Sequence, residues 1–556
     1  MDHLPSDHPG LPVGMFHQLP EDESITVGRC VAVEQFINAL ARHGGDDYDY
    51  HLFCPPGQET AIQKQVKPAV TGIKIHDQRI LSETDNGFQF AAWHDNQLDT
   101  YRPFMLRSHA GKPYPITILH HTLSYKELLY EKFLRLLLSR PHAYDSIICT
   151  SSCSQKTVSI LLDHVAERFN AEYSIDLKYR GRCDIIPLGV DTDFFQPKDR
   201  MIARDALRIH ANAFVMLWIG RFSAIDKADL LPLVQVLSLL VRDNPDRHLL
   251  LLCNGRQRPG ENFKEAMLDF GRQLGIERHI RIVDESQDRI PLLYSATDIF
   301  VSPVDNIQES FGLSPIEAMS CGIPQVVSDW DGYRDSVVHG ETGFLIPTYT
   351  GKCSNHLSDT AFLTDSPFDH LVLSQSIVVD MTALRESIQQ LIDSVDLRKK
   401  MEDASRKRAL DNYAWGKIIP QYKRLWWELS GIAKSVPERN ETCQEFSLPD
   451  YGMAFQHYPT RFLNEETLVG LTSQGRQLVS GDMGLPLYCN QPWNHIDVGI
   501  IKRIIEGTAR MDAAGKPLPI GNILQVITKN GNLSRERERV FRHILWLLKY
   551  GFLVET

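Results

Sequence analysis

Short apolar runs alternate with helical patterns along the N-terminal part of the chain. Residues 27–45 place apolar side chains at helical spacing between glycines, and residues 124–140 form a second, leucine-rich helical pattern. Residues 48–56, 115–121 and 145–151 are short apolar runs of the kind that buried parallel strands show. This alternation predicts a parallel sheet covered by helices on both faces.

A second series of the same kind follows the Gly- and Pro-containing segment 184–197. The helical pattern at 229–243 is one of its connections. Its predicted strands are 214–220, 248–255, 280–284, 298–303 and 325–329. Two doubly wound units in succession predict a ligand cleft between them, at the carboxyl ends of the strands.

The pattern changes after the second series. Residues 349–370 are polar with little periodicity, so they are predicted to be a loop-like insertion. Helical pattern returns at 380–413, with a predicted break near Ser394, and a further helix is predicted at 414–432. The polar, Pro-containing segment 433–450 is interpreted as a linker.

Composition excludes several classes of protein. The 556-residue chain is 43% apolar and carries a formal net charge of −11, which argues against general nucleic-acid binding. No apolar run approaches the ~20 residues that span a bilayer, and no signal peptide is evident. The ten cysteines show no CxxC spacing and read as reduced thiols. We therefore expect a cytoplasmic protein, with peripheral contact at the inner face of a membrane left open.

The most informative segment is 305–329. Gly312 permits a tight backbone path, Ser314 is expected to cap a helix, and Pro315 suits its first turn. A glycine-containing loop that leads into a helix N-terminus offers N–H groups to an anion. Glu309 precedes this turn and Glu317 is expected in the first turn of the helix. Because carboxylates repel a phosphate, their predicted task is to bind sugar hydroxyls.

Glu309, seven residues and Glu317, within ESFGLSPIEAMSCGIPQVVSD, resemble the signature of family 4 nucleotide-sugar glycosyltransferases. Residues 186–197 resemble the segment that opens that family's C-terminal domain, and residues 218–231 resemble its Gly-Arg…Lys phosphate-binding element. The resemblance covers roughly residues 20–430. It implies the α/β GT-B fold, in which two Rossmann-like domains face each other.

The domain organisation follows from this resemblance and from the pattern. The predicted parts are an acceptor-side Rossmann-like domain (1–187), a donor-side Rossmann-like domain (188–413), a crossover helix packing on both (414–432), the linker (433–450), and a small, mainly helical, winged-helix-like domain (451–556).

The resemblance also assigns roles on the donor side. Arg221 and Lys227 would clamp the donor diphosphate, although their spacing is one residue longer than in the family's commonest form. Glu309 would hold hydroxyls of the transferred sugar, and Glu317 those of the ribose. Main-chain groups near Val283 would meet the base. Residues of the turn itself, namely Phe311, Gly312 and Leu313, complete the predicted donor site.

On the acceptor side, the resemblance points to the turn at Gly28 as the loop that faces the diphosphate. His121 fits the family's histidine at the end of a strand beside the reacting sugar, and His120 is the alternative. The family often has two adjacent glycines where this chain has only Gly28.

The resulting hypothesis is a retaining glycosyltransferase with a nucleotide diphosphate sugar as co-substrate and no metal or other cofactor. Arg221 and Lys227 would offset the charge of the leaving group in place of a metal ion. The acceptor is left open among a carbohydrate, a lipid-linked molecule and a protein. Two alternatives are a phosphorylase-like enzyme of the same fold and a nucleotide- or sugar-binding regulatory protein with a winged-helix effector domain.

The C-terminal segment carries its own charge pattern. Residues 516–549 contain seven Lys and Arg against two Asp and Glu, a local net charge of +5. This stretch is predicted to be a charged docking face, for a partner protein or for self-association, with nucleic acid as the less favoured reading.

Overall fold

The computed structural model describes residues 10–19, 28–66, 72–82, 88–307, 309–352, 355–360, 363–436, 451–485, 496–511, 516–528 and 533–556. These residues form two units, Met1–Phe446 and Ser447–Thr556. The predicted linker lies almost wholly outside the described residues, at 437–450.

The first sheet of the larger unit has seven parallel strands in the order β3-β2-β1-β4-β5-β6-β7. Its strands are β1 (Leu11–Phe16), β2 (Tyr48–Cys54), β3 (Ile73–Asp77), β4 (Ala92–Asp95), β5 (Ile116–Leu119), β6 (Ser146–Cys149) and β7 (Arg182–Ile185). Its helices are α1 (Gly28–His43), α2 (Glu59–Gln65), α3 (Arg102–Ala110), α4 (Lys126–Leu138) and α5 (Ser152–Tyr173). The strand order reverses between β1 and β4, which is the place where doubly wound sheets bind ligands.

The second sheet repeats this topology, with six parallel strands in the order β10-β9-β8-β11-β12-β13. Its strands are β8 (Phe214–Ile219), β9 (Leu249–Asn254), β10 (Ile280–Val283), β11 (Ile299–Ser302), β12 (Gln325–Ser328) and β13 (Gly343–Ile346). Its helices are α6 (Arg200–Ala206), α7 (Leu231–Asp243), α8 (Phe263–Gln273), α9 (Ile290–Ser295), α10 (Leu313–Ser320) and α11 (Tyr333–Ser336). The predicted α/β fold with two Rossmann-like domains is confirmed.

The segment predicted to be a loop-like insertion contains regular structure, so that prediction is wrong. The antiparallel strands β14 (Thr348–Thr350) and β15 (Ile377–Val379) enclose α12 (Asn355–Thr360) and α13 (Ser366–Ser374). Asp365 caps α13 by accepting the backbone N–H of Phe368, and a proline lies in its first turn. We call residues 348–379 the excursion.

Three helices complete the larger unit, namely α14 (Met381–Asp393), α15 (Val395–Arg408) and α16 (Trp415–Ser435). Ser394 separates α14 from α15 and caps the latter, as the predicted break requires. The helix α16 returns to the first sheet, where the Trp426 indole donates a hydrogen bond of 3.0 Å to the Thr117 hydroxyl. The Tyr422 ring packs against Phe36 of α1, with 4.9 Å between centroids.

The smaller unit has its own core. It contains α17 (Tyr451–Ala454), α18 (Ser473–Ser480), α19 (Val498–Met511), α20 (Ile520–Ile527), α21 (Leu533–Lys549) and a sheet of β16 (Leu468–Leu471), β17 (Leu518–Pro519) and β18 (Leu553–Glu555). The buried side chains of Ile504, Ile523 and Ile544 belong to one hydrophobic core, to which α19, α20 and α21 each contribute. The described helices and terminal strand match the predicted mainly helical outline.

The predicted basic face of the smaller unit is interrupted by acids from other segments. Arg537 pairs with Glu465 at 2.5 Å and Arg539 with Asp497 at 2.8 Å, and neither acid lies within the +5 stretch. The charged docking face stays a prediction, and two of its arginines are paired with acids from outside the stretch.

Within the described residues, no helix has both the length and the apolar character needed to cross a membrane.

Candidate active site

Two of the residues predicted to bind a donor, Lys227 and Glu309, meet at the carboxyl end of the second sheet. Lys227 follows β8, Glu309 follows β11, and the Lys227 Nζ lies 2.5 Å from a Glu309 carboxylate oxygen. Both side chains are mostly buried, with 15% and 12% of their surfaces exposed. A partly buried ion pair of this kind holds both groups in one geometry before any ligand arrives.

Gly312 makes the turn between Glu309 and α10. Its φ of +84° belongs to the left-handed region, and an added Cβ would lie 2.3 Å from the Tyr333 ring. The Tyr333 hydroxyl is in turn hydrogen-bonded to Ser302 at the end of β11, 2.9 Å away. A larger residue than glycine would therefore displace the start of α10.

The first turn of α10 differs from the sequence expectation. Ser314 does not cap the helix, because it is already helical, and its hydroxyl donates to the Ile219 carbonyl at 3.4 Å. Among the described side chains, none caps α10. Its N-terminal main chain points positive partial charge at the loop that carries Glu309.

Glu317 lies in the second turn of α10, one turn later than expected. Its side chain is buried, and the Tyr294 hydroxyl donates to one carboxylate oxygen at 3.0 Å. Burial raises the pKa of Glu317 to about 7, although Tyr294 and the charge of Lys227 oppose the shift. This carboxyl is poised to accept or donate a hydrogen bond near neutral pH.

Arg221 is held by a carboxylate that sequence reasoning did not single out. Its guanidinium lies 3.0 Å from the Asp226 carboxylate, and Arg258 reaches the same oxygen at 2.7 Å. The Asp226 side chain is only 2% exposed. Arg258 thus joins Arg221 and Lys227 as a third cation of this region, from a loop whose sequence shows no pattern that would have revealed it.

The other predicted donor residues take different positions. Phe311 is buried against Tyr413, with 6.1 Å between ring centroids, so its side chain belongs to the core. Leu313 is partly buried against the same core. Val283 ends β10, and its carbonyl accepts the N–H of Gly255 at 3.2 Å.

In the first Rossmann-like domain, the two histidines differ in burial. His120 follows β5 directly and is fully buried, and burial together with the neighbouring His121 lowers its pKa to about 3. His121 is only half-buried, which makes it the more accessible of the two. Gly28 is the first residue of α1, and an added Cβ there would meet nothing within 4 Å.

The loop that carries Glu309 is tied to the first Rossmann-like domain. The hydroxyls of Thr150 and Ser151, at the start of α5, both donate to the Ser310 carbonyl, at 3.2 and 2.8 Å. The Ser152 hydroxyl donates to the Asp335 carboxylate at 2.7 Å. The segment that carries Glu309 is therefore positioned by both Rossmann-like domains.

The excursion forms a second connection between the two domains, which we call the clasp. Lys126 of α4 pairs with Asp369 of α13 at 2.6 Å, and His370 lies 3.0 Å from the Ser124 carbonyl. At the end of α13, Ser374 donates to the carbonyl of Ala224 at 3.0 Å. The clasp thus joins the segment after His121 to the loop that carries Arg221 and Lys227.

The described residues contain no cluster of three or more His, Cys, Asp or Glu side chains arranged to hold a metal ion.

Known proteins resemble the chain in one segment of sequence and in fold. Residues 199–359 match the family described as "Glycosyl transferases group 1". The D-inositol 3-phosphate glycosyltransferases of Nocardia farcinica and Catenulispora acidiphila are 30% and 32% identical over 169 and 190 residues. These matches cover 30% and 34% of this chain and 37% and 43% of the relatives, so the chain aligns with less than half of their length.

Two solved structures share the architecture. Sucrose-phosphate synthase from Thermosynechococcus elongatus superposes with a TM-score of 0.50 at 18% identity, over 76% of this chain and all of that one. Anabaena Alr3699/HepE in complex with UDP gives 0.52 at 16% identity, over 74% and 98%. At such low identity these likenesses concern the fold alone. Residues 199–359 are thus similar to the group 1 glycosyl transferases, and the two Rossmann-like domains have the GT-B fold that these solved structures share.

Proposed function

We propose that this glycosyltransferase moves a sugar from a nucleotide diphosphate sugar to its acceptor, with retention of configuration and without a divalent metal. The observation that carries the proposal is the Lys227–Glu309 pair beside the N-terminus of α10. The Lys227 ammonium and the helix N-terminus can bind a diphosphate, and the Glu309 carboxylate can accept hydrogen bonds from the hydroxyls of the attached sugar.

The pair suggests how donor binding prepares the site. A diphosphate placed at α10 competes with Glu309 for the Lys227 ammonium. When Lys227 turns to the phosphate, the Glu309 carboxylate becomes available to accept hydrogen bonds from sugar hydroxyls. Separation of the Lys227–Glu309 pair would thus allow Lys227 to bind the diphosphate and Glu309 to bind the sugar of the same donor.

Arg221 and Lys227 would stabilise the negative charge that develops on the departing diphosphate. The pairing of Arg221 with Asp226 keeps its guanidinium oriented, and Arg258 offsets the charge of Asp226. A retaining transfer through an oxocarbenium-like transition state depends on positioning and charge stabilisation, and the leaving phosphate can accept the proton of the acceptor hydroxyl.

The remaining roles are those that the family resemblance implies. Glu317 would meet the ribose hydroxyls, main-chain groups near Val283 and Gly312 would meet the base and phosphate, and His121 would face the reacting sugar. Its neighbour His120 is buried and is assigned no contact with the donor.

The test is slow donor hydrolysis by the full chain. UDP-, GDP- and ADP-sugars are incubated with the protein, and release of the nucleoside diphosphate is measured with and without EDTA. We expect hydrolysis of at least one donor at the same rate in both conditions. Activity that EDTA abolishes and Mg²⁺ or Mn²⁺ restores would contradict metal independence. Failure to hydrolyse or bind any donor would contradict the proposed function.

A further inference from the structure

The loop after β9 packs directly against the loop after β8, which carries two of the proposed donor-binding cations. The N–H of Phe222 donates a hydrogen bond of 2.8 Å to the carbonyl of Arg256. An added Cβ on Gly255 would clash with the carbonyl oxygen of Gly220, so only glycine allows this close approach. The spacing between the two loops is therefore set by their backbones and not by the side chains that lie between them.

Arg258, in the loop after β9, is held in a closed turn. Its N–H donates to a Glu261 carboxylate oxygen at 3.1 Å, and the Glu261 N–H donates to the Arg258 carbonyl, also at 3.1 Å. From this turn the Arg258 guanidinium donates a hydrogen bond of 2.7 Å to the Asp226 carboxylate, in the loop after β8. Arg258 is therefore in contact with Asp226 before any ligand binds.

The Asp226 carboxylate is shared by two arginines. Its oxygen Oδ2 lies 2.7 Å from Arg258 and 3.0 Å from Arg221, so Arg258 makes the shorter contact. The Asp226 side chain is buried, whereas those of Arg221 and Arg258 are 31% and 39% exposed. Among the residues that the structure describes, Oδ1 of Asp226 has no hydrogen-bond partner, although it is buried too. The charge of Asp226 is therefore compensated through a single oxygen by these two arginines.

Two counterions on one buried carboxylate change the cost of moving either of them. A buried carboxylate that loses its last counterion is destabilised, because its charge is then neither solvated nor paired. If Asp226 had Arg221 as its single partner, Arg221 could leave for a diphosphate only at that cost. With Arg258 in place, the carboxylate stays paired while Arg221 binds elsewhere.

We propose that Arg258 is a positioning residue, which remains as the counterion of Asp226 when Arg221 turns from that carboxylate to the donor diphosphate. In this role Arg258 does not contact the donor. The inference rests on the proposed function, because that function gives Arg221 a diphosphate to bind. It goes beyond the proposed function by assigning control of donor affinity to a cation outside the donor contacts.

The test is a double-mutant cycle on the full chain, with Asp226→Asn as the second change. UDP, GDP and ADP are the probes, and each is compared with its nucleoside by calorimetric titration. In the wild-type background, Arg258→Ala should raise the Kd of the diphosphate about fivefold or more and leave that of the nucleoside unchanged, because Arg221 is then held by a buried charge. In the Asp226→Asn background, the same change should raise the Kd of the diphosphate by less than about twofold, since no buried charge then needs a counterion.

Arg256→Ala is the matched control, because it removes an exposed cation of the same loop that pairs with Asp284 instead. This variant should leave the Kd of the diphosphate nearly unchanged. Arg258→Lys keeps a cation for Asp226 and should therefore keep most of the affinity. Thermal unfolding checks that each variant folds. If Arg258→Ala does not fold, Arg258→Gln takes its place in the cycle.

The outcomes separate the inference from the proposed function. An equal loss of diphosphate affinity in both backgrounds would place Arg258 in direct contact with the phosphates and overturn the proposal. No loss in the wild-type background, or an equal loss for the nucleoside, would overturn it as well. These results would leave the proposed function in place. A wild-type chain that bound none of the three diphosphates would contradict the proposed function, and the inference with it.

Discussion

The ammonium of Lys227 lies 2.5 Å from a carboxylate oxygen of Glu309, although 82 residues separate them in the sequence. The two loops meet because β8 and β11 are neighbours in the second sheet, so the residues that follow them share one edge. This pair links the proposed phosphate and sugar contacts, and it makes Glu309 the first residue to test.

Glu309→Ala is expected to lower the transfer rate more than tenfold, a loss of about 1.4 kcal/mol or more in transition-state stabilisation. The protein should still unfold cooperatively, since the pair lies at the edge of the core. Glu386→Ala on the exposed side of α14 is the control for a lost carboxylate. A variant that kept more than about a tenth of the rate would remove Glu309 from the mechanism.

Arg221→Ala and Lys227→Ala are each expected to weaken binding of a nucleoside diphosphate more than binding of the nucleoside, because their proposed contact is with phosphate. Calorimetric titration of both ligands measures the difference. Arg242→Ala, which removes an exposed cation of α7, should leave both affinities unchanged. Equal losses for diphosphate and nucleoside would show that these cations act elsewhere.

Glu317→Gln should change how stability depends on pH. The pKa of Glu317 is raised to about 7 by burial, so its contribution to folding is present below pH 4.5 and is lost as the pH rises through 7. The loss is at most about 1.4 kcal/mol for each pH unit. Glutamine keeps an oxygen for Tyr294 and cannot ionise, so the variant should gain stability relative to wild type between pH 5 and 8. Denaturant unfolding at several pH values measures this, and parallel profiles would contradict it.

The clasp should influence donor affinity. Asp369→Asn removes the charge that faces Lys126, a loss of about 1 kcal/mol or less for a partly exposed pair. If the clasp favours the arrangement of the two Rossmann-like domains that binds the donor, its loss lowers the fraction of molecules in that arrangement. The donor Kd should then rise up to about fivefold. Asp359→Asn, an exposed carboxylate of α12, is the matched control. An effect of equal size in both variants would assign the change to the excursion as a whole.

A chain that ends at Ser435 should bind the donor as the full chain does. The proposed donor residues and α16 all precede or reach that position, and the smaller unit has its own core. We expect the difference to appear in oligomeric state or acceptor turnover, measured by light scattering and transfer assay. Loss of donor binding in a folded truncation would place part of the donor site in the C-terminal unit.

Sequence patterns predict much of this fold, because the spacing of apolar residues along the chain reflects which faces of its strands and helices are buried. The strands β8 to β12 and the helices α1, α7 and α16 coincide with apolar runs or periodic stripes. The strand β1 was not predicted, since Pro12 and Gly14 weaken its strand character. Residues 349–370 are predicted to be a loop, but the excursion contains helices. The start of α13 could have been predicted, because Asp365 followed by a serine and a proline is a helix-start signal.

The donor motif could be recognised because its residues are close together in the sequence, from Glu309 to Glu317. Arg258 could not, because only the folded chain brings it to Asp226 across 32 residues. The same holds for the contact of Asp369 with Lys126, which depends on how the two domains meet. Sequence patterns identify side chains with suitable chemistry, but which of these side chains contact one another depends on the tertiary fold.

The hydroxyls of Thr150 and Ser151 hold the Ser310 carbonyl, next to Glu309, from the other domain. This connection has an evolutionary consequence. A recombination event that exchanged the first Rossmann-like domain for that of a relative would also exchange the groups that hold the loop carrying Glu309. The recombined protein would keep the Glu309 loop in place only if the incoming domain also had hydrogen-bond donors at the positions of Thr150 and Ser151. The two domains are therefore expected to be inherited together, because each carries part of this connection.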